Sequence, residues 1–174
     1  MGCDIHIWVE IKKEDKWEVN TKEVFTISEF DKGWHKKEKR EVPFDWRSYG
    51  MYGFLADVRN YSMVPTIEGI DEIPEDASQE VLESYEAWEM DAHSIKTVNS
   101  KTLTEFDYTQ TFNDRRVTKQ VGKNSWSGGV TGTEEEGTTY QFVQFLGELF
   151  MQNVEELKEL EKEGEVRLIF WFDN

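Results

Sequence analysis

The sequence is poor in cysteine, histidine and proline. Its 174 residues include one cysteine, Cys3, three histidines and three prolines. A single cysteine excludes an internal disulfide and a cysteine-rich zinc module, and it is typical of a reducing compartment. We therefore expect a cytoplasmic protein, and the length of residues 1–174 fits a single domain.

Long apolar runs and positive charge are also scarce. No stretch reaches the roughly 18 consecutive apolar residues of a membrane-spanning helix, and no basic segment followed by an apolar one marks a secretory signal. The sequence has 20 basic and 36 acidic residues, which gives a net charge of −16. Because such a charge repels a phosphate backbone, we expect neither a membrane association nor direct binding of nucleic acid.

The opening residues MGCDIHIWVEI predict a β-strand with two unlike faces. One face would carry the apolar residues Cys3, Ile5, Ile7, Val9 and Ile11, and the other Asp4, His6, Trp8 and Glu10. Asp4 and His6, two residues apart on one face, are close enough to bind one metal ion or one polar substrate. A solvated sheet face explains the same alternation, so both interpretations stay open.

Periodicity and turn residues predict the other elements. A second strand over residues 16–19 would form a hairpin with the first. One helix is predicted over 45–58 and another from near Pro74, followed by a flexible glycine-rich loop over 122–137. A long amphipathic helix over 139–163 and a buried strand over 165–173 complete the chain. Together they predict an α+β fold, a mostly antiparallel sheet with helices packed on it. Because a buried terminal strand must be central, we expect the N- and C-terminal strands to be adjacent.

Two further segments are candidates for chemistry. The segment Asp91-Ala92-His93-Ser94 follows the second helix and is interpreted as a polar loop, in which His93 could bind a metal beside His6, act as a general base, or simply be a hydrogen-bonded loop histidine. Arg59 could either join a surface ion pair or bind an anionic group of a ligand.

Several segments together resemble a family of uncharacterised proteins encoded by bacteriophages and prophages. They are the opening MGCDIHIWVE, the later YGMYGFLADVRN, the turn IPEDAS, the segment DAHS and the closing RLIFWFDN. The MGCDIH opening is the most specific of them. The resemblance implies a phage setting and no particular reaction.

One hypothesis for function is a metal-dependent hydrolase acting on a small phosphorylated substrate. Asp4, His6 and His93 would bind the metal, Glu10 or Asp91 would orient or activate water, and Arg59 would hold an anionic leaving group. The two histidines favour Zn²⁺ or Mn²⁺ over Mg²⁺. The divalent ion would neutralise the phosphate that the acidic chain repels.

The alternative hypothesis is a non-catalytic anti-defence protein that blocks a host defence protein. It could mimic nucleic acid with an acidic helix face formed by Glu155, Glu156, Glu159, Glu161 and Glu163. It could instead sequester a signalling nucleotide, with Trp8 stacking on the base. Metal content distinguishes the hypotheses, because mimicry needs no ion.

Overall fold

The computed structural model describes residues 2–31, 34–88 and 90–174, and of residues 29–31, 34 and 35 it describes the backbone only. The chain divides into two compact units, Met1–Arg47, Glu68–Phe106 and Glu148–Asn174 in the first, and Ser48–Ile67 and Asp107–Gly147 in the second. None of the described helices has the length and apolarity that crossing a bilayer requires.

Runs of one to four strands are separated along the chain by one or two helices. In chain order the elements are β1 (Asp4–Lys13), β2 (Lys16–Val19), β3 (Phe25–Asp31), β4 (Trp34–Arg40), α1 (Tyr49–Ala56), α2 (Gln79–Trp88), β5 (His93–Asn99), α3 (Ser100–Thr104), β6 (Thr111–Asp114), β7 (Arg116–Gly122), β8 (Ser125–Val130), β9 (Thr138–Gln141), α4 (Phe142–Leu146), α5 (Glu148–Glu161) and β10 (Val166–Asp173).

The main sheet of the first unit has the strand order β2-β1-β10-β5, with antiparallel pairing throughout. The prediction of an α+β fold with adjacent terminal strands is confirmed, since β1 pairs with β10 from Asp4↔Asp173 to Ile11↔Val166. Strand β10 is central and buried on both faces, which explains its nearly continuous apolar sequence.

The β1–β2 hairpin is also confirmed. Glu14 and Asp15 connect the strands with φ angles of 48° and 64°. Two consecutive left-handed residues form the turn whose twist matches that of the flanking strands.

Each face of the main sheet is covered. The apolar face predicted for β1 is buried, with every odd-numbered residue from Cys3 to Ile11 at most 8% exposed. On the other face, Val81 of α2 and Ala77 join Ile169 and Trp171 of β10 in a second apolar cluster, against which Trp8 also packs. The polar face of β1 is therefore not a freely solvated face, because α2 and the segment before it lie over it.

Three helix predictions had different bounds in the structure. The predicted helix 139–163 is β9, α4 and α5, interrupted at Gly147, whose φ of 85° is accessible mainly to glycine. The helix predicted over 45–58 covers only Tyr49–Ala56, with Ser48 accepting a hydrogen bond from the Met51 N–H as its N-cap. The helix expected near Pro74 begins at Gln79, because residues 74–77 form a turn closed by the Ala77 N–H and Pro74 carbonyl.

Two loop predictions were wrong. The segment 122–137 contains β8, which pairs with β7, and His93 begins β5 rather than lying in a loop. Both strands lack an apolar alternation that a sequence pattern can detect. Strand β8 is exposed on both faces, and β5 carries a bulge where it pairs with Phe170 and Phe172.

Helix α5 is attached to β3 by buried polar contacts. Asn153 donates to the Thr26 carbonyl at 2.8 Å and accepts from the Phe44 N–H at 2.8 Å. Glu156 accepts from the N–H and hydroxyl of Thr26 at 2.8 and 2.6 Å and from Lys39 at 2.8 Å. Burial alone would raise the pKa of Glu156, but the hydrogen bonds from Lys39 and Thr26 outweigh it and hold this pKa below its usual range.

The second unit contains α1, α4 and two separate two-stranded sheets, β6–β9 and β7–β8. Its core is aromatic. The Phe142 ring lies 5.5 Å from Phe54 and 5.0 Å from Phe112, measured between centroids. The β7–β8 hairpin contributes almost nothing to this core, since all of its residues except Val117 are exposed.

Candidate functional site

Asp4 and His6 lie at one end of the α2-covered face of the main sheet, and each has an ionic partner. Arg47 binds both oxygens of Asp4, with its Nε 2.9 Å from Oδ1 and its Nη2 2.6 Å from Oδ2. This hydrogen bonding from Arg47 lowers the pKa of Asp4. His6 Nε2 lies 3.1 Å from Asp173 Oδ2.

The His6 ring is held by aromatic neighbours as well. Its centroid lies 4.3 Å from that of Trp88 and 6.1 Å from that of Trp171. A carboxylate only accepts hydrogen bonds, so in this contact Nε2 of His6 donates and Asp173 accepts. The arrangement is a histidine oriented by a carboxylate, which is suited to moving a proton.

His93, the third predicted metal ligand, lies on a different strand and a different face. Strand β10 separates β1 from β5, so the backbones of His6 and His93 are about two strand spacings, or roughly 10 Å, apart. His6 is opposite Trp171 and His93 is opposite Phe172, and these neighbours on β10 project to opposite faces. The structure therefore does not bring the three predicted ligands together.

The remaining predicted site residues have separate surroundings. Asp91 is exposed in the turn after α2, where its N–H donates to the Trp88 carbonyl at 2.8 Å. Arg59 belongs to the second unit and lies over the Tyr49 ring, with its guanidinium carbon 6.0 Å from the centroid. Neither contact identifies a reacting group.

Glu10, predicted to activate water, is completely buried and takes part in a buried ion pair. Its Oε2 accepts from Arg167 Nε at 2.7 Å, and its Oε1 accepts from the Ser78 N–H at 2.7 Å. Because each oxygen of Glu10 accepts a hydrogen bond, the carboxylate links β1 to β10 and to the residue before α2. Glu10 thus takes part in the packing of the first unit, and its role in activating water stays a prediction.

Arg167 connects Glu10 to a second carboxylate and to an aromatic ring. Its Nη1 donates to Asp76 at 2.8 Å, and its guanidinium lies 4.0 Å from the Trp17 ring centroid. The hydrogen bond from Arg167 lowers the pKa of Asp76. Arg167 Nη2 is buried and has no hydrogen-bond partner among the described residues.

A cavity of about 470 Å³ lies beside this network, within the first unit. Its walls combine apolar surface from Trp17, Ile70 and Pro74 with polar groups from Thr97 and Arg167. The rest of the lining is Glu68, Gly69, Asn99, Thr102 and Glu165. The size and the mixture of apolar walls with few polar groups are typical of small-molecule sites.

The acidic face of α5 is largely neutralised by neighbouring groups. Glu155, Glu159 and Glu163 pair with Lys158, Lys162 and Lys22, respectively. Glu156 binds Lys39 and Thr26, and Glu161 accepts from Ser100 and Thr104. These carboxylates consequently present less negative charge than their number suggests.

The sequence patterns missed the partners that define both ends of this sheet face. Asp173 and Arg167 lie on β10, directly opposite Asp4 and Glu10. The expected antiparallel pairing of the first and last strands could have identified both, because the register follows from aligning their ends. No comparable local signal marks Arg47 or Trp17.

Within the described residues no group of three His, Cys, Asp or Glu side chains is arranged to hold a metal ion, and the metal site stays a prediction. The phage resemblance likewise stays a prediction. Comparison of the chain with protein-family models, with curated proteins and with solved structures found no match in any of the three.

Proposed function

We propose that this protein is a non-catalytic binding protein that sequesters a small, planar molecule in the cavity at Arg167. One observation carries the proposal: Arg167 is only 7% exposed, lines the cavity, and keeps Nη2 without a partner among the residues described. A buried donor left unpaired costs about 1–3 kcal/mol, and a ligand acceptor would remove that cost.

The charges around the cavity restrict the ligand. The positive charge of Arg167 is already balanced by Glu10 and Asp76, and Glu68 and Glu165 add two carboxylates to the lining. A phosphate group would be repelled there, whereas N–H donors of a neutral or cationic ligand would be favoured. A nucleobase or nucleoside has the required acceptor, donors and apolar planar body.

This proposal is a narrower form of the sequestration hypothesis. The base of a nucleotide remains part of the proposed ligand, whereas its phosphates are disfavoured. The aromatic residue at the proposed site is Trp17, in place of Trp8. A phage setting, a host defence protein as partner and a metal-dependent hydrolase remain predictions of the sequence.

Isothermal titration calorimetry with adenosine, guanosine and AMP tests the proposal. We expect at least one nucleoside to bind and AMP to bind at least tenfold more weakly than adenosine, a difference of about 1.4 kcal/mol. Ile70→Phe would place a bulkier ring on the cavity wall and narrow the space for a planar ligand, and the backbone pairing of Ile70 with Thr97 does not depend on its side chain.

Met90→Phe is the matched control, since Met90 is 98% exposed and does not line the cavity. Loss of nucleoside binding in Ile70→Phe, with normal binding in Met90→Phe, supports the proposal. If no nucleoside binds the unmodified protein, or if Ile70→Phe binds as well as the control, the cavity is not the ligand site.

A further inference from the structure

The second unit contains a basic segment of 19 residues that has no acidic residue. Residues 115–133 include Arg115, Arg116, Lys119 and Lys123 and no acidic residue. The whole second unit carries five basic and six acidic residues, whereas the first unit carries 15 basic and 30 acidic ones. The net charge of −16 therefore belongs almost entirely to the first unit.

The basic segment forms the β7–β8 hairpin, whose two faces are both exposed. Trp126 is 65% exposed and Val121 66% exposed, in a hairpin of only two strands. Such a hairpin buries too little apolar surface to be stable on its own. Exposed apolar side chains beside cations, without neighbouring acids on the strands, indicate a surface that a partner covers.

On one face of the hairpin, the exposed Trp126 side chain has open space beside it. Trp126 is opposite Gln120, and Thr118 and Arg116 follow on the same face. Gly128, opposite Thr118, leaves the space beside Trp126 empty, since a Cβ there would approach only the Val117 carbonyl, at 4.0 Å. A flat group could lie against the indole without displacing any described side chain.

Cations and aromatic rings continue from the base of this face. The Arg116 guanidinium lies 5.8 Å from the Tyr61 ring centroid, and Tyr61 itself is 39% exposed. Tyr61 contacts Tyr49 edge-on at 6.2 Å, and Arg59 lies over Tyr49. Arg116, on the same face as Trp126, therefore begins a track of two guanidinium groups with two aromatic rings between them, within the second unit.

The opposite side and the tip add further positive charge. Lys119 projects from the other face, paired with Ser127, and Lys123 lies in the turn between the strands. The acidic residues Glu134 and Glu136 follow β8 and contact Asn113 and Thr131 near the base of the hairpin. The tip is therefore the most positive part of the hairpin.

We propose that this track, together with Trp126 and with Lys123 in the turn, binds single-stranded nucleic acid. Phosphates would contact the cations and an unstacked base would lie on Trp126, which is the combination that single-strand binding proteins use. A single strand supplies a phosphate and a flat base with every nucleotide, which matches cations spaced beside an open indole face. A duplex hides the faces of its bases.

At physiological salt the Debye length is about 8 Å, so charges farther than that from a bound phosphate are largely screened. The expectation that the chain avoids nucleic acid followed from its summed charge. The separation of charge between the two units removes the basis for that expectation.

Fluorescence anisotropy with a fluorescein-labelled oligothymidine of about 12 nucleotides tests the proposal, over roughly 50 to 200 mM NaCl. We expect binding by the intact protein and roughly tenfold weaker binding by Trp126→Ala, with Trp126→Phe close to the original. Arg116→Gln combined with Lys123→Gln should weaken binding and reduce the slope of log affinity against log salt by about 1.4, since each lost phosphate contact removes about 0.7.

The matched control is Lys158→Gln combined with Lys162→Gln, which removes the same charge from exposed lysines of the first unit. It should bind as the unmodified protein does. The proposal is overturned by an absence of binding at low salt, by equal losses in the two double variants, by an unchanged affinity in Trp126→Ala, or by stronger binding of a duplex or of heparin.

Discussion

The Glu10–Arg167 pair provides the sharpest test of how the main sheet is held together. Glu10 is fully buried, its partner Arg167 has a side chain 8% exposed, and the two atoms in contact are 2.7 Å apart. Removing one member of such a pair leaves a buried charge unpaired, which costs about 3–5 kcal/mol, whereas replacing both with apolar groups is often close to neutral. We therefore expect Arg167→Met, which leaves the buried Glu10 carboxylate without an ionic partner, to destabilise the protein strongly, and Glu10→Met to cost less because Arg167 keeps Asp76.

The double variant distinguishes this explanation from a general loss of packing. If the pair acts as a unit, Glu10→Met with Arg167→Met should lose much less stability than the sum of the single variants. Urea unfolding followed by tryptophan fluorescence measures each value. With a slope of about 2 kcal/mol per molar urea, a loss of about 4 kcal/mol lowers the midpoint by roughly 2 M.

Two results would refute this reasoning. A loss below about 1 kcal/mol in Arg167→Met would mean that the Glu10 carboxylate does not need its ionic partner, contrary to the usual cost of unpairing a buried ion. Strict additivity of the single variants would mean that the charges do not interact. Either result would make the catalytic interpretation of Glu10 worth testing again.

Two further predictions concern metal binding and pH. If the sequence hypothesis of a metal site holds, elemental analysis should find near-stoichiometric zinc or manganese in the purified protein. The metal should be lost in the double variant Asp4→Ala with His6→Ala. Absence of metal after incubation with each ion would eliminate the hypothesis. Glu156→Gln should flatten the acid limb of the stability curve. The folded-state pKa of Glu156 is lowered, so its stabilisation is complete above the unfolded value of about 4.5 and is lost as pH falls through the folded value. An unchanged acid limb in urea titrations would contradict this role.

The sequence by itself determined the central strands of the first unit. Strict alternation in residues 3–11 specified one buried face of β1, and the continuous apolar run before Asp173 specified a strand buried on both faces. These patterns are local, because each residue's face follows from its position in the strand. The antiparallel adjacency of the two strands then followed from the need to bury the last one.

Only the tertiary structure decided what the polar residues do. Asp4, His6 and Glu10 share a face as predicted, but their partners Arg47, Asp173 and Arg167 are between 43 and 167 residues away in the chain. No local pattern encodes a contact at that distance. Whether such a side chain is a ligand, a base or a buried ion pair depends on what the fold brings opposite it.

The basic hairpin shows the same division between sequence and structure. The charges of residues 115–133 are visible in the sequence, but β8 has no periodicity because neither of its faces is buried. Exposed strands are specified by pairing with a neighbour, here β7, rather than by an apolar pattern. The sequence therefore determined where burial is required, and the fold alone determined which exposed residues lie side by side.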